Sequence, residues 1–101
     1  MSGYILTEQA EQDLQAIDEY VAAQSLDAAD IVARDIRQAP ERLAAAPGIG
    51  RQRNDVKDPR YRFWRANRFI IAYFHETKPL QIIRIVGGAR DFRKLFKKSK
   101  S

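Results

Sequence analysis

Cysteine is absent from this 101-residue sequence, and histidine occurs only once, as His75. The absence of cysteine excludes disulfides, zinc ribbons, iron–sulfur ligation and cysteine nucleophiles. A single histidine excludes most histidine-based metal sites and any catalytic pair of histidines. We therefore expect the protein to use neither a metal ion nor another cofactor.

The sequence also lacks a long hydrophobic run. The longest one extends from Phe69 to Phe74, whereas a membrane-spanning helix needs about 20 apolar residues. The N-terminus has no basic segment followed by an apolar stretch, the pattern of a secretory signal. These two absences predict a cytoplasmic protein.

The composition is that of a folded chain. Hydrophobic residues make up 45% and charged residues 31% of the sequence, which is too apolar for a disordered tail. The length suits one domain, residues 1–101, and leaves little room for a second. We expect a hydrophobic core.

Charge is divided unevenly along the chain. Residues 1–50 contain three Lys/Arg and nine Asp/Glu, a net charge of −6, whereas residues 51–101 contain fifteen and four, a net charge of +11. Such asymmetry indicates that the second half meets something anionic: a nucleic acid, an acidic protein segment, or the acidic half of the same domain.

The first half predicts a strand followed by two helices. Residues 3–7 are rich in strand formers and end at Thr7, which suits a helix N-cap. A helix from residue 8 to about residue 25 follows from the three-four spacing of its apolar residues. Those residues are Ala10, Leu14, Ile17 and Val21.

Asp27 is a candidate cap for the second helix, which keeps the same apolar spacing until residue 46. A turn of only about two residues predicts that the segment 8–46 is an antiparallel helical hairpin. Pro40 conflicts with this pattern, since its ring removes a backbone hydrogen bond. The helix should therefore kink or restart there.

The second half predicts strands. Residues 47–59 contain two glycines and two prolines without periodicity and should be a loop. Three strands are expected within residues 60–87, with Asn67 taking a positive φ in the first hairpin and residues 77–79 forming the second turn. Gly87 and Gly88 should end or bulge the last strand. Asp91 then opens a short helix over residues 91–97, followed by a charged tail.

This order predicts an α+β fold: an N-terminal strand, a helical hairpin, a three-stranded antiparallel meander and a short C-terminal helical segment. The nearly continuous apolar strand 69–74 should be central. The helices should cover one face of the sheet. The arginine-rich segments beside the central strand cannot supply an apolar cover for the other face. We therefore hypothesise that a partner covers that face.

The sequence resembles toxins of the RelE/ParE superfamily, and the ParE branch more than the RelE branch. The resemblance covers nearly the whole chain, and it depends on the set of segments in this order rather than on any single one. The matching segments are Tyr4-Ile5-Leu6-Thr7, Ala10, Asp13-Leu14, Ile17, Tyr20, Leu43-Ala44, Pro47-Gly48-Ile49-Gly50-Arg51, Tyr61-Arg62, Ile70-Ile71-Ala72-Tyr73, Ile83-Arg84-Ile85 and Gly88-Ala89-Arg90-Asp91.

The resemblance implies the fold described above and a small protein partner, the antitoxin. In this family the antitoxin lays a C-terminal segment across the toxin and occludes it. A ribbon-helix-helix antitoxin with an acidic tail, forming a hetero-oligomer with the toxin, would suit the basic half of the chain.

Two cellular targets follow from the resemblance. RelE-like relatives cut messenger RNA on the ribosome, whereas ParE-like relatives inhibit DNA gyrase without a known hydrolytic site. RNA cleavage needs groups that move protons, and arginine is a poor general base. No Tyr or His follows His75. This favours gyrase poisoning with no catalytic residue; the alternatives are a ribosome-dependent endoribonuclease and a non-toxic binding module.

Seven residues are candidates for binding the antitoxin or the target, on account of their charge or their place in the C-terminal segment. They are Arg51, Arg53, Arg65, Arg84, Arg90, Phe92 and Phe96. The pair Arg90-Asp91 has a purely local alternative, in which Asp91 caps the last helix. One position departs from the ParE pattern: many relatives have histidine where this chain has Gly87.

Overall fold

The computed structural model describes residues 3–96 and confirms the predicted order of elements. The elements are β1 (Tyr4–Leu6), α1 (Glu8–Gln24), α2 (Leu26–Ala45), a 3-10 turn (Pro47–Ile49), β2 (Tyr61–Ala66), β3 (Phe69–Phe74), β4 (Leu80–Gly87) and α3 (Phe92–Leu95). The α+β class is confirmed. The predicted end of the last helix at residue 97 and the charged tail lie outside the described residues.

The four strands form one sheet in the order β1-β4-β3-β2. The last three strands make the predicted antiparallel meander, and β1 pairs in parallel with β4. β3 is buried from Phe69 to Tyr73, because helices cover one face and other segments cover the second. The prediction of a buried central strand is confirmed.

The helical hairpin begins as predicted but turns at a different residue. Thr7 caps α1 by accepting a hydrogen bond from the Ala10 backbone N–H at 3.1 Å. The prediction that Asp27 caps α2 is wrong: Ser25 links the two helices and accepts from the Ala28 N–H at 3.2 Å. Ser25 has the extended backbone that a cap requires, whereas Asp27 already lies in the first helical turn.

α2 continues without interruption through Pro40, which is buried, so the helix does not restart there. The apolar residues of both helices pack on one face of the sheet, against Ile71, Tyr73 and Ile85 among others. Within residues 3–96, neither helix has the length and hydrophobicity that a membrane span would need.

The β2–β3 hairpin turns as predicted, with Asn67 at φ 62°. The Asn67 side-chain oxygen accepts from the Arg68 backbone N–H at 2.9 Å, and its amide donates to Asp35 of α2 at 3.0 Å. The tip of the hairpin is therefore fixed to the helical layer. Asp91 caps α3 as predicted, by accepting from the Arg93 and Lys94 N–H groups.

The second face of the sheet is covered by the chain itself. Phe92 and Phe96 pack there with Val56 from the segment between the 3-10 turn and β2. These residues lie on Phe63, Ile70, Ala72 and Val86. The expectation that this face has no apolar cover of its own is wrong, because the C-terminal aromatic residues return onto the sheet.

Candidate functional site

A groove of about 480 Å³ opens on the second sheet face, beside the segment that precedes β2. We call it the arginine groove; its lining residues are Arg51, Gln52, Arg53, Phe63, Trp64, Arg65 and Ile70. It brings together three of the seven candidates from the sequence. Each of these arginines has a different local environment.

Arg51 is held by its backbone. Its N–H donates to the Phe63 carbonyl and its carbonyl accepts from the Phe63 N–H, both at 2.8 Å, in an antiparallel bridge outside the main sheet. The segment before β2 therefore runs along the outer edge of that strand. The Arg51 side chain is exposed and forms no ion pair with any described residue.

Tyr73 anchors the start of this segment from inside the core. Its hydroxyl donates to the Pro47 carbonyl at 2.7 Å and accepts from the Gly50 N–H at 2.9 Å. Burial raises the pKa of Tyr73 above its ordinary value. The hydroxyl therefore stays protonated and keeps donating to the Pro47 carbonyl.

We expect the substitution Gly50→Ala to destabilise the fold by about 1–3 kcal/mol, the usual range for overpacking. A Cβ at Gly50 would lie 2.8 Å and 2.9 Å from Cε1 and Cζ of the Tyr73 ring, so the ring or the loop must move. Gly48→Ala is the matched control, because nothing lies within 4 Å of its added Cβ. Urea unfolding of both variants tests this; equal stabilities would contradict it.

Arg53 is the neutralised member of the groove. Its guanidinium donates two hydrogen bonds of 2.9 Å to the Asp55 carboxylate and lies 3.9 Å from the Phe92 ring centroid. The hydrogen bond from Arg53 lowers the pKa of Asp55, so the pair is ionised at neutral pH. Arg53 thus joins the groove to α3 and has its charge balanced within the chain.

Arg65 extends from β2 on the opposite side of the groove. It is exposed and forms no ion pair with a described residue. Its guanidinium lies beside Gly88, where an added Cβ would be in ordinary contact with Arg65 Nη2 at 3.4 Å. Arg51 and Arg65 are therefore the two uncompensated cations of the groove.

The other four candidates lie elsewhere. Arg84 forms an ion pair with Asp13 of α1 at 2.7 Å, within the protein. Arg90 is exposed and lines a smaller groove of about 200 Å³ together with Tyr20. Phe92 and Phe96 are buried in the second core and are not accessible to a partner in this arrangement.

Among residues 3–96, no histidine, tyrosine or carboxylate lines the arginine groove. His75 lies at the far end of β3, where its Nδ1 is 3.1 Å from the Arg60 carbonyl and its Nε2 is 3.2 Å from Glu76. Tyr61 is half-buried, and burial raises its pKa. The lining can therefore bind an anion, and its own side chains are poorly suited to proton transfer.

Sequence reasoning missed the anchoring role of Tyr73, whose place in the nearly continuous apolar strand 69–74 indicated only a core residue. Arg51 and Arg53 are candidates on sequence grounds, but the sequence does not show that their segment returns along β2 and brings both to one groove.

The comparisons with known proteins agree with this fold. The chain matches the family model described as the ParE toxin of the type II toxin–antitoxin system parDE over residues 4–92. It is 26% identical to a chain from the chromosomal ParDE toxin–antitoxin system of P. aeruginosa, with a TM-score of 0.68 over 86% of this chain and 96% of that chain. No curated protein matches it. Since the family match spans most of its length, the chain belongs to the ParE toxin family of type II toxin–antitoxin systems.

Proposed function

We propose that this ParE-family toxin poisons DNA gyrase without hydrolytic chemistry and is neutralised by direct binding of a cognate antitoxin. The observation that supports the proposal is the lining of the arginine groove, whose described residues offer three guanidiniums and an amide but no carboxylate, histidine, lysine or tyrosine. Such a lining can hold an anionic or polar surface of a target, and it gives RNA cleavage neither a general base nor a general acid.

The proposed antitoxin partner follows from family membership and from charge. The described residues of the second half remain strongly basic, so an acidic segment of the antitoxin would be attracted to them. A ribbon-helix-helix protein with an acidic tail fits this requirement, as the sequence resemblance already implied.

Gly87 stays compatible with this proposal. It lies at the end of β4, and the nearest atom to an added Cβ would be Arg90 Cγ at 4.0 Å. The backbone at Gly87 does not have a positive φ. Packing therefore leaves room for a Cβ at this position. The fold does not require glycine where many relatives have histidine.

The decisive experiment is plasmid supercoiling by purified gyrase in the presence of the purified protein. We expect inhibition that increases with toxin concentration and disappears when the cognate antitoxin is added first. Unaffected supercoiling at a large molar excess of toxin would overturn the gyrase proposal. Primer extension on cellular messenger RNA after induction covers the alternative, because discrete codon-linked cuts would identify a ribosome-dependent endoribonuclease.

A further inference from the structure

Most of the lysines and arginines of residues 51–96 form no ion pair with a described acid. Residues 51–96 contain twelve lysines and arginines, of which three, Arg53, Arg60 and Arg84, form ion pairs with described acids. Among the described residues, the pair of Arg84 with Asp13 is the one ion pair that joins this half to the acidic helices. The acidic half therefore does not neutralise the basic half.

The arginine groove concentrates part of this excess at one place. Arg51 and Arg65 face it from two sides without a carboxylate partner, and Asp55 already occupies Arg53. A guanidinium presents a planar fork of donors that matches the oxygen atoms of a phosphate group. An anion bound here therefore meets two guanidiniums without a carboxylate partner. Among the described lining residues, no acid would repel it.

The two arginines without a carboxylate partner lie on opposite sides of the arginine groove. Arg51 belongs to the segment before β2, and Arg65 extends from β2 to the side of Gly88. The neighbouring Arg68 does not join them, because its guanidinium donates to Gln24 of α1 at 3.5 Å. One isolated carboxylate would satisfy one of the two arginines, whereas an anion that repeats along a chain would satisfy both.

The floor of the groove between its cations is apolar and mostly covered. Phe63 and Ile70 are 6% and 7% exposed, and Trp64 is half-buried at the side of the groove. Binding in this groove therefore depends on the guanidiniums, which suits a phosphate backbone, since phosphate contacts are commonly made by arginine and lysine.

We propose that the arginine groove binds the phosphodiester backbone of duplex DNA, with Arg51 and Arg65 as the phosphate contacts. The choice of duplex DNA rests on the proposed function, since gyrase acts on duplex DNA. The arginine groove would then contact the DNA that is bound to gyrase, and the toxin would contact the enzyme as well. Binding through phosphates reads no base sequence and is steeply sensitive to salt.

The test is fluorescence anisotropy of a short labelled DNA duplex with the purified protein, without gyrase, over a series of salt concentrations. Each phosphate contact contributes about 0.9 to the slope of log affinity against log salt. The double variant R51A/R65A should therefore lower the slope by about 2 and weaken binding by on the order of tenfold at low salt.

The matched control is R34A/K78A, which removes the same charge from exposed sites outside the groove. Its slope should stay within about 0.5 of the wild-type slope, because a direct contact contributes about 0.9. The variant R51K/R65K should keep most of the slope and lose part of the affinity, since lysine lacks the planar fork. Equal losses in R51A/R65A and R34A/K78A would overturn the assignment to the groove.

Parallel titrations separate the sources of phosphate. Tighter binding to single-stranded RNA than to duplex DNA, or binding to inorganic tripolyphosphate alone, would overturn the choice of duplex DNA. Equal binding of polyglutamate would assign the groove to an acidic protein. Inhibition of supercoiling without DNA binding would overturn this inference and leave the proposed function intact. DNA binding without inhibition of supercoiling would overturn the gyrase proposal and support DNA binding by the groove.

Discussion

Replacing Asp13 with alanine should lower the free energy of unfolding by about 3 kcal/mol, the low end of the cost of removing one partner of a buried ion pair, because this pair is partly exposed. The Asp13 side chain is 11% exposed, and that of Arg84 is 22% exposed. One carboxylate accepts from Arg84 Nε at 2.7 Å, Arg84 Nη2 at 3.1 Å and the Ile85 backbone N–H at 2.9 Å. Alanine would leave all three donors without this acceptor.

Asp18→Ala is the matched control on the same helix. Asp18 pairs with Arg37 at 2.8 Å, but the two side chains are 39% and 52% exposed. An exposed pair of this kind contributes about 0–1 kcal/mol. Chemical denaturation followed by circular dichroism measures both variants, and similar midpoints for D13A and D18A would show that the pair of Asp13 with Arg84 does not hold α1 to β4.

The local features of this fold could be predicted from the sequence because their signals are local. Thr7 lies directly before an apolar helical pattern, and Asn67 lies between two runs of strand formers. The hydrogen bonds that form the helix cap and the turn join each of them to a residue within three positions along the chain. The local signal was ambiguous for the cap of α2, because Ser25 and Asp27 are both good cap residues. Packing of α1 against α2 decides which of them becomes the cap.

Contacts between distant residues could not be predicted in the same way. The partner of Arg84 lies 71 residues earlier in the chain, in α1. The cover of the second sheet face comes from Phe92 and Phe96, whose spacing showed an amphipathic segment but not the surface on which it packs. Burial of those phenylalanines also removes the main reason for expecting a partner on that face.

The candidate site was partly accessible to sequence reasoning. Charge alone selected Arg51, Arg53 and Arg65, and the structure brings them to one groove. Their convergence depends on the backbone bridge between Arg51 and Phe63 and on the hydroxyl of Tyr73, which connect segments far apart in the chain. The periodicity of the sequence does not reveal such a contact. It also does not show that Arg53 already has a carboxylate partner.

Phe92→Ala should lower the free energy of unfolding by about 3–5 kcal/mol, the usual cost of truncating a buried phenylalanine. Phe92 is 1% exposed, lies edge-on to Phe63 with ring centroids 5.8 Å apart and stacks on Phe96. Its ring also supports Arg53, whose guanidinium lies 3.9 Å from the centroid. The variant should therefore loosen both α3 and one wall of the arginine groove.

A hydrophobic dye gives a second measurement that stability alone does not. The wild-type protein should bind little dye, because Phe92, Phe96 and Val56 cover the sheet face, whereas F92A should bind it strongly under conditions where it is still folded. Tyr20→Ala is the control: Tyr20 is 59% exposed, so its truncation should change stability by about 0.5 kcal/mol or less and should not raise dye binding. Strong dye binding by the wild-type protein would contradict the finding that the chain covers this face itself. It would indicate that a protein partner covers that surface.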